Sequence, residues 1–131
     1  MEMYTYDLLS NKEATLIAEK IRAMDWQEGA TLNPDMSGKV KNNRELGFSE
    51  CKPHLSSIYK KLASHKQFNK DTYCYKIFPP KFNSYSDGGE YKRHSDAPFM
   101  DIRTAKSVES MRTDYSMTLF LTDGYEGGEL V

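Results

Sequence analysis

The apolar residues of this chain repeat with one period up to about residue 72 and with another beyond it, and that change restricts the fold more than any other feature. In the first stretch Ala14, Ile17, Ala18, Ile21 and Met24 recur at helical spacing behind Ser10-Asn-Lys-Glu13, which has the form of a capping box. A helix is therefore expected over residues 11 to 24. Leu55, Ile58, Tyr59, Leu62 and Ala63 repeat the pattern behind Pro53, a residue suited to a first helical turn, and imply a second helix ending near His65. From Thr72 the period falls to two: Tyr73, Tyr75 and Ile77 alternate with Cys74, Lys76 and Phe78. The clearest alternation is Asp114 to Thr122, where Tyr115, Met117, Leu119 and Leu121 oppose Ser116, Thr118, Phe120 and Thr122. Shorter strands are expected at Met3 to Leu9, from Asp25 to Leu32, around Val40, from Phe82 to Ser86 and from Glu90 to Asp96, and a loop over 97 to 111. Helices first and short strands after imply an α+β fold, with N-terminal helices packed on the outside of a partial jelly roll, or double-stranded β-helix.

The 131 residues suffice for one domain, with 1–71 a helical support region carrying short strands and 72–131 the first strands of the jelly roll. A formal net charge of -1 gives no bulk attraction to a polyanion or a membrane surface. No window approaches the roughly 18 apolar residues of a membrane span, and no secretory leader is evident, so a cytoplasmic location is expected. Cys51 and Cys74 lack CxxC spacing and read as reduced and structural. At the end of the chain, Leu130-Val131 after Gly127-Gly128 reads as the opening of a further strand. The domain is thus expected to be incomplete at its C-terminus, with an open sheet edge through which copies would self-associate.

Chemistry concentrates in Tyr85-Ser-Asp-Gly88-Gly-Glu-Tyr91-Lys-Arg-His94-Ser-Asp96. An imidazole and a carboxylate two residues apart in an extended chain point to one face, where a single metal ion can hold both. Taken alone, the triplet more often describes a hydrogen-bonded surface pair at a strand end.

The wider pattern Tyr-x-x-Gly-x-x-Tyr-x-x-His-x-Asp, followed by an alternating strand closed by Asp-Gly-Tyr-Glu-Gly-Gly-Glu, resembles the iron(II)- and 2-oxoglutarate-dependent dioxygenases of the prolyl 4-hydroxylase type. Within them the likeness is strongest to the bacterial PKHD-type hydroxylases, through Val40-Lys-Asn-Asn43, Phe82-Asn-Ser-Tyr85 and Met111-Arg-Thr-Asp-Tyr-Ser-Met-Thr-Leu-Phe-Leu121. The resemblance implies hydroxylation of a C–H bond in a prolyl, other protein or small-molecule substrate, with Fe(II), 2-oxoglutarate and O2 as cofactor and cosubstrates and ascorbate (vitamin C) as a reductant. It implies His94 and Asp96 as metal ligands and Tyr85, Tyr91 and Thr118 as contacts to 2-oxoglutarate, with Asn42, Asn43 and Arg112 near the substrate pocket. A third ligand histidine and a basic residue for the far carboxylate are expected beyond Val131, so these residues alone would be inactive. His54 and His65 precede the motif and read as surface helix residues.

Two other functions fit less of the sequence. A jelly roll that binds metal without oxidising anything would keep the same motif. A nucleic-acid module would use Lys52, Lys60, Lys61, Lys66, Lys70, Lys76 and Lys81, but this stretch has no arginine for bidentate phosphate contacts.

Overall fold

Helix α1 spans Asn11–Arg22 and begins as the sequence requires: Ser10 Oγ accepts from the Glu13 N–H, and the Glu13 carboxylate accepts from the Ser10 N–H. Its buried stripe is Ile17, Ala18 and Ile21. The last two expected residues are not helical, and Trp26 turns back to donate through its indole N–H to the Ile21 carbonyl at 3.1 Å. The computed structural model describes residues 3 to 28, 41 to 86, 90 to 91, 99 to 103 and 105 to 123.

The second expected helix is present and ends at Ser64, with a 3-10 turn at its start and a further short helix on either side. After a single turn, α2 (Phe48–Cys51), a 3-10 turn over Lys52–His54 places Pro53 where its missing N–H costs nothing. Helix α3 (Ser56–Ser64) follows and buries Ile58 and Leu62. His65 then leaves helical geometry, with ψ 104, and its Nδ1 accepts from the Phe68 N–H, capping helix α4 (Lys66–Thr72). Here the expectation of a surface His65 fails. It is a half-buried cap whose ring meets Tyr6 edge-on at 5.1 Å. His54 is also half-buried, with its ring 6.5 Å from that of Phe82.

Seven strands form three small antiparallel sheets among the described residues: β1 (Gln27–Glu28), β2 (Lys41–Asn42), β3 (Arg44–Glu45), β4 (Asn83–Ser84), β5 (Glu90–Tyr91), β6 (Phe99–Arg103) and β7 (Val108–Arg112). The first sheet has the order β1-β3-β4; β2 pairs with β5, and β6 with β7. The architecture is α+β, with no closed barrel or sandwich among the described residues.

Three strand expectations and one loop expectation are corrected. Met3 to Leu9 makes no ladder; instead Tyr6, Leu8 and Leu9 pack on the core as irregular chain. The segment expected as a strand from Thr72 to Phe78 begins as the last residue of α4 and forms no strand. Tyr73 adopts a left-handed conformation (φ 49, ψ 37), its N–H closing the helix on the Asn69 carbonyl at 2.9 Å. The alternation breaks there: Tyr73 and Tyr75 are 86% and 95% exposed, but Ile77, expected on their face, packs on the core as Cys74 does. Asp114 to Thr122 likewise has no strand partner among the described residues; Leu119 and Leu121 rest on the core, and Tyr115, Met117 and Phe120 are exposed. The expected loop at 97 to 111 instead contains the longest ladder, β6 on β7, with Met100 opposite Met111. It escapes notice because residues 104 to 107 hold no glycine, proline or asparagine to mark a turn, and only Met100, Ile102 and Met111 are even half-buried.

A single cluster holds the helical half to the first sheet: Ile17, Ile21, Leu46, Cys51, Leu55, Ile58, Leu62, Phe68 and Phe82. Leu46 is fully buried, and its N–H donates to the Phe82 carbonyl at 3.2 Å, continuing the β3–β4 ladder into the core. Both cysteines are free; buried Cys51 reaches the Leu46 carbonyl at 3.6 Å, and burial pushes its thiol up. No helix among the described residues is long and apolar enough to cross a membrane.

Candidate functional site

Lys41 to Glu45 is one run of chain that serves two sheets. Lys41 and Asn42 pair with Tyr91 and Glu90, whereas Arg44 and Glu45 pair with Ser84 and Asn83 on one side and with Glu28 and Gln27 on the other. Asn43 lies at the change-over, in no ladder itself. A strand that switches sheets at one residue makes a corner. Extending the β3–β4 register by one step sets Asn43 opposite Tyr85. Spacing by two puts Asn43 with Glu45, and Lys81 and Asn83 with Tyr85, on matching faces.

The polar groups at this corner engage one another. Asn43 is 5% exposed, and its Nδ2 donates to Asn83 Oδ1 at 3.2 Å. Its Oδ1 is buried and has no hydrogen-bond partner among the described residues. Glu45 is 1% exposed, with Lys81 Nζ 3.8 Å from its Oε2. Tyr85 is half exposed, and burial of its remainder raises its hydroxyl pKa; the Asn43 amide beside it acts in the opposite sense, and the Glu45 charge adds to the rise. The hydroxyl therefore stays protonated at neutral pH and is a donor.

Of the residues expected to form a site, Tyr85 and Asn43 are brought together at this corner. Tyr91 sits on β5, hydrogen-bonded across to Lys41 on the same run, although the side chains of Tyr91 and Asn42 lie outside the description. His94 and Asp96, the expected metal ligands, and Gly127 and Gly128 lie outside the described residues. Among the described residues no three His, Cys, Asp or Glu side chains converge as a metal site would need. Thr118 is exposed on a segment without a strand partner. Arg112 makes a 3.0 Å ion pair with Asp114, both side chains more than half in solvent, so it is a solvated pair at the end of β7.

Sequence reasoning gave no role to Asn83 or Glu45. Asn83 lay inside a string already singled out, Phe82-Asn-Ser-Tyr85, two residues from the tyrosine and so on its face. Glu45 carried no such signal, because a glutamate in Asn-Asn-Arg-Glu reads as surface.

A separate open groove of about 300 Å3 lies between α3, α4 and the following segment, lined by Tyr59, Leu62, Phe68, Tyr75 and Ile77. Its amide, Asn69, is committed to the carbonyls of Leu62 and His65 at 2.9 and 2.8 Å. Its lining also includes the free thiol of Cys74, and it holds no carboxylate, imidazole or ammonium group. The basic stretch is also partly spoken for: Lys61 pairs with Glu13, Lys76 with Glu109 and Lys81 with Glu45, which removes charge a phosphate backbone would need.

Comparison with known proteins finds relatives that are named hydroxylases. The chain is 37% identical over 128 residues to a PKHD-type hydroxylase of Pseudoalteromonas atlantica, covering 95% of this chain and 56% of the relative. It is 35% identical over 127 residues to one from Acidovorax ebreus (94% and 55%) and 37% identical over 127 residues to one from Teredinibacter turnerae (94% and 55%). The chain is similar to PKHD-type hydroxylases along nearly its whole length and spans a little over half the length of the curated relatives it matches. No family model matches it, and no solved structure does.

Proposed function

We propose that these residues form the N-terminal part of an iron(II)- and 2-oxoglutarate-dependent hydroxylase. The observation that carries this reading is the similarity to PKHD-type hydroxylases along nearly the whole chain, including the stretch with His94 and Asp96. An imidazole and a carboxylate two residues apart are a donor set suited to ferrous ion, and a third protein ligand would leave positions open for 2-oxoglutarate and dioxygen. Iron bound there would supply the oxidising chemistry, coupling decarboxylation of 2-oxoglutarate to attack on a C–H bond.

The protein's own contribution is orientation. Tyr85 presents a neutral hydroxyl, which donates to a carboxylate without adding charge. Buried Glu45, with Lys81 close by, does not confront an anionic ligand as a bare charge. Tyr91, three positions before His94 in the sequence, pairs with Lys41 on the run that forms this corner. A prolyl residue of a protein or a small molecule is the proposed substrate class, with ascorbate as auxiliary reductant. The test is succinate formation from 2-oxoglutarate with Fe(II), in protein of the length of the relatives: turnover that His94→Ala and Asp96→Ala abolish supports the reading, and turnover indifferent to both refutes it.

A further inference from the structure

We propose that His65 is an acid-sensitive latch: its imidazole closes α4 only while Nδ1 is unprotonated, so mild acidification releases α4 and, with it, the N-terminal segment from residue 3 to 9. The inference is independent of the proposed chemistry. His65 is the N-cap residue of α4 (φ -79, ψ 104), and its Nδ1 accepts from the N–H of Phe68, the third residue of that helix, at 3.0 Å. Serine or asparagine commonly fills this place and keeps its acceptor at every ordinary pH. An imidazole accepts at one nitrogen only when neutral, and in the cation both nitrogens are donors. Protonation thus sets a donor against the Phe68 N–H. The helix dipoles do not decide the outcome, because His65 ends α3 as well as starting α4, and a positive charge there is favoured by one helix end and opposed by the other. The lost hydrogen bond decides it. A helix of 7 residues has few bonds of its own, so its cap matters more than in a long one.

What α4 holds follows from its side chains. Phe68 belongs to the core cluster, Asn69 donates to the carbonyls of Leu62 and His65 at 2.9 and 2.8 Å, and Asp71 accepts from the Tyr6 hydroxyl at 2.7 Å. The Tyr6 ring also stands against the imidazole, 5.1 Å between centres. One cap therefore secures a helix that ties down both the end of α3 and the irregular N-terminal segment. The titratable groups of the elements around it leave an imidazolium uncompensated. The N-terminal segment brings Tyr6, neutral because its pKa is pushed up to about 12; α3 brings Lys60 and Lys61, the latter paired with Glu13; α4 brings Lys66 and Lys70, while its Asp71 is engaged by Tyr6 and Gln67. His65 makes no ion pair among the described residues that would hold the cation in place.

The test is amide hydrogen exchange, corrected for its intrinsic pH dependence, from about pH 7.5 to about pH 5.5, a window that brackets imidazole titration and lies above that of ordinary carboxylates. Protection of the amides from Phe68 to Thr72 should fall about fivefold in the parent, as for a lost cap, while that of Ile17 and Ile21 in α1 holds. His65→Asn, which offers an acceptor without a titrating proton, should keep its protection through the window with His54 still present, and His65→Ala should lack it at both ends. A parent whose α4 protection is flat with pH, or a His65→Asn protein that loses protection as the parent does, would overturn the proposal. Should His65→Asn not fold, the parent decides alone: the ring signals of Tyr6 should shift with the same midpoint as the α4 amides open, and ring signals that stay still count against the latch.

Discussion

The hydroxyl of Tyr6 donates to Asp71 Oδ2 at 2.7 Å, fastening the irregular N-terminal segment to the last turn of α4 across 65 positions of sequence. Asp71 is held from its other oxygen by Gln67 Nε2 at 2.9 Å, and the Tyr6 ring stands edge-on to His65 and Phe68. Burial first, then the hydrogen bond and charge of Asp71, push the Tyr6 pKa up to about 12. An unfolded tyrosine ionises near ~10, so this contribution to stability is complete below that pH and disappears as pH rises through the folded value. Urea midpoints of the parent should exceed those of Tyr6→Phe up to about pH 10, with the gap closing toward pH 12. A gap that persists through that range would contradict the assignment.

The start of α1 behaves oppositely. The Ser10 N–H first, then Lys61 at 3.2 Å, hold the Glu13 carboxyl below its ordinary range. Its stabilising effect is present above the unfolded glutamate pKa and is lost as pH falls through the depressed one. Ser10→Ala should lower stability by about 1 kcal/mol at neutral pH through the lost cap. Acid unfolding followed by helical circular dichroism should cost the parent more of its neutral-pH stability than it costs Glu13→Gln, so that the gap between the two closes as pH falls through the glutamate range; parallel acid limbs would contradict the assignment.

Leu46 joins the ladder to the core, being fully buried and hydrogen-bonded through its backbone to Phe82. Leu46→Ala keeps the hydrogen bond and removes the packing. A loss of about 2–5 kcal/mol in denaturant unfolding is expected, whereas a loss below about 1 kcal/mol would mean that the cluster is not continuous at this point.

Tyr73 occupies a conformation that side chains resist, and its own side chain is 86% exposed. Glycine suits the position at a helix end. Tyr73→Gly should raise thermal stability, by up to about 1 kcal/mol, because relief of the left-handed backbone outweighs the added freedom of the unfolded chain. A fall in the melting temperature would show that the tyrosine makes contacts that matter more than its strain.

The helical half was legible because local signals agree with burial: the Ser10–Glu13 cap and the Ile17 and Ile21 stripe stand as read. The end of the second helix near His65 stands as read, but the helix that the His65 imidazole caps, running on to Thr72, went unread. Strand reading failed for a different reason. Alternation in Asp114 to Thr122 shows which side chains turn inward, Leu119 and Leu121 among them, but not whether a neighbouring strand exists to pair with. Conversely, β6 and β7 pair with little burial and so lack the pattern that reveals strands. At the candidate site Tyr85 and Asn43 were named from their strings, but their adjacency comes from a sheet change at one residue, which no local signal encodes.

The central claim is that His94 and Asp96 hold iron in a 2-oxoglutarate-dependent hydroxylase. Its most direct test is Fe(II)-dependent conversion of 2-oxoglutarate to succinate, measured in protein of the relatives' length with and without His94→Ala. The account requires conversion in the parent, none after metal chelation, and a loss of at least about a hundredfold in the variant. Undiminished conversion in His94→Ala, or conversion that survives chelation, would contradict it.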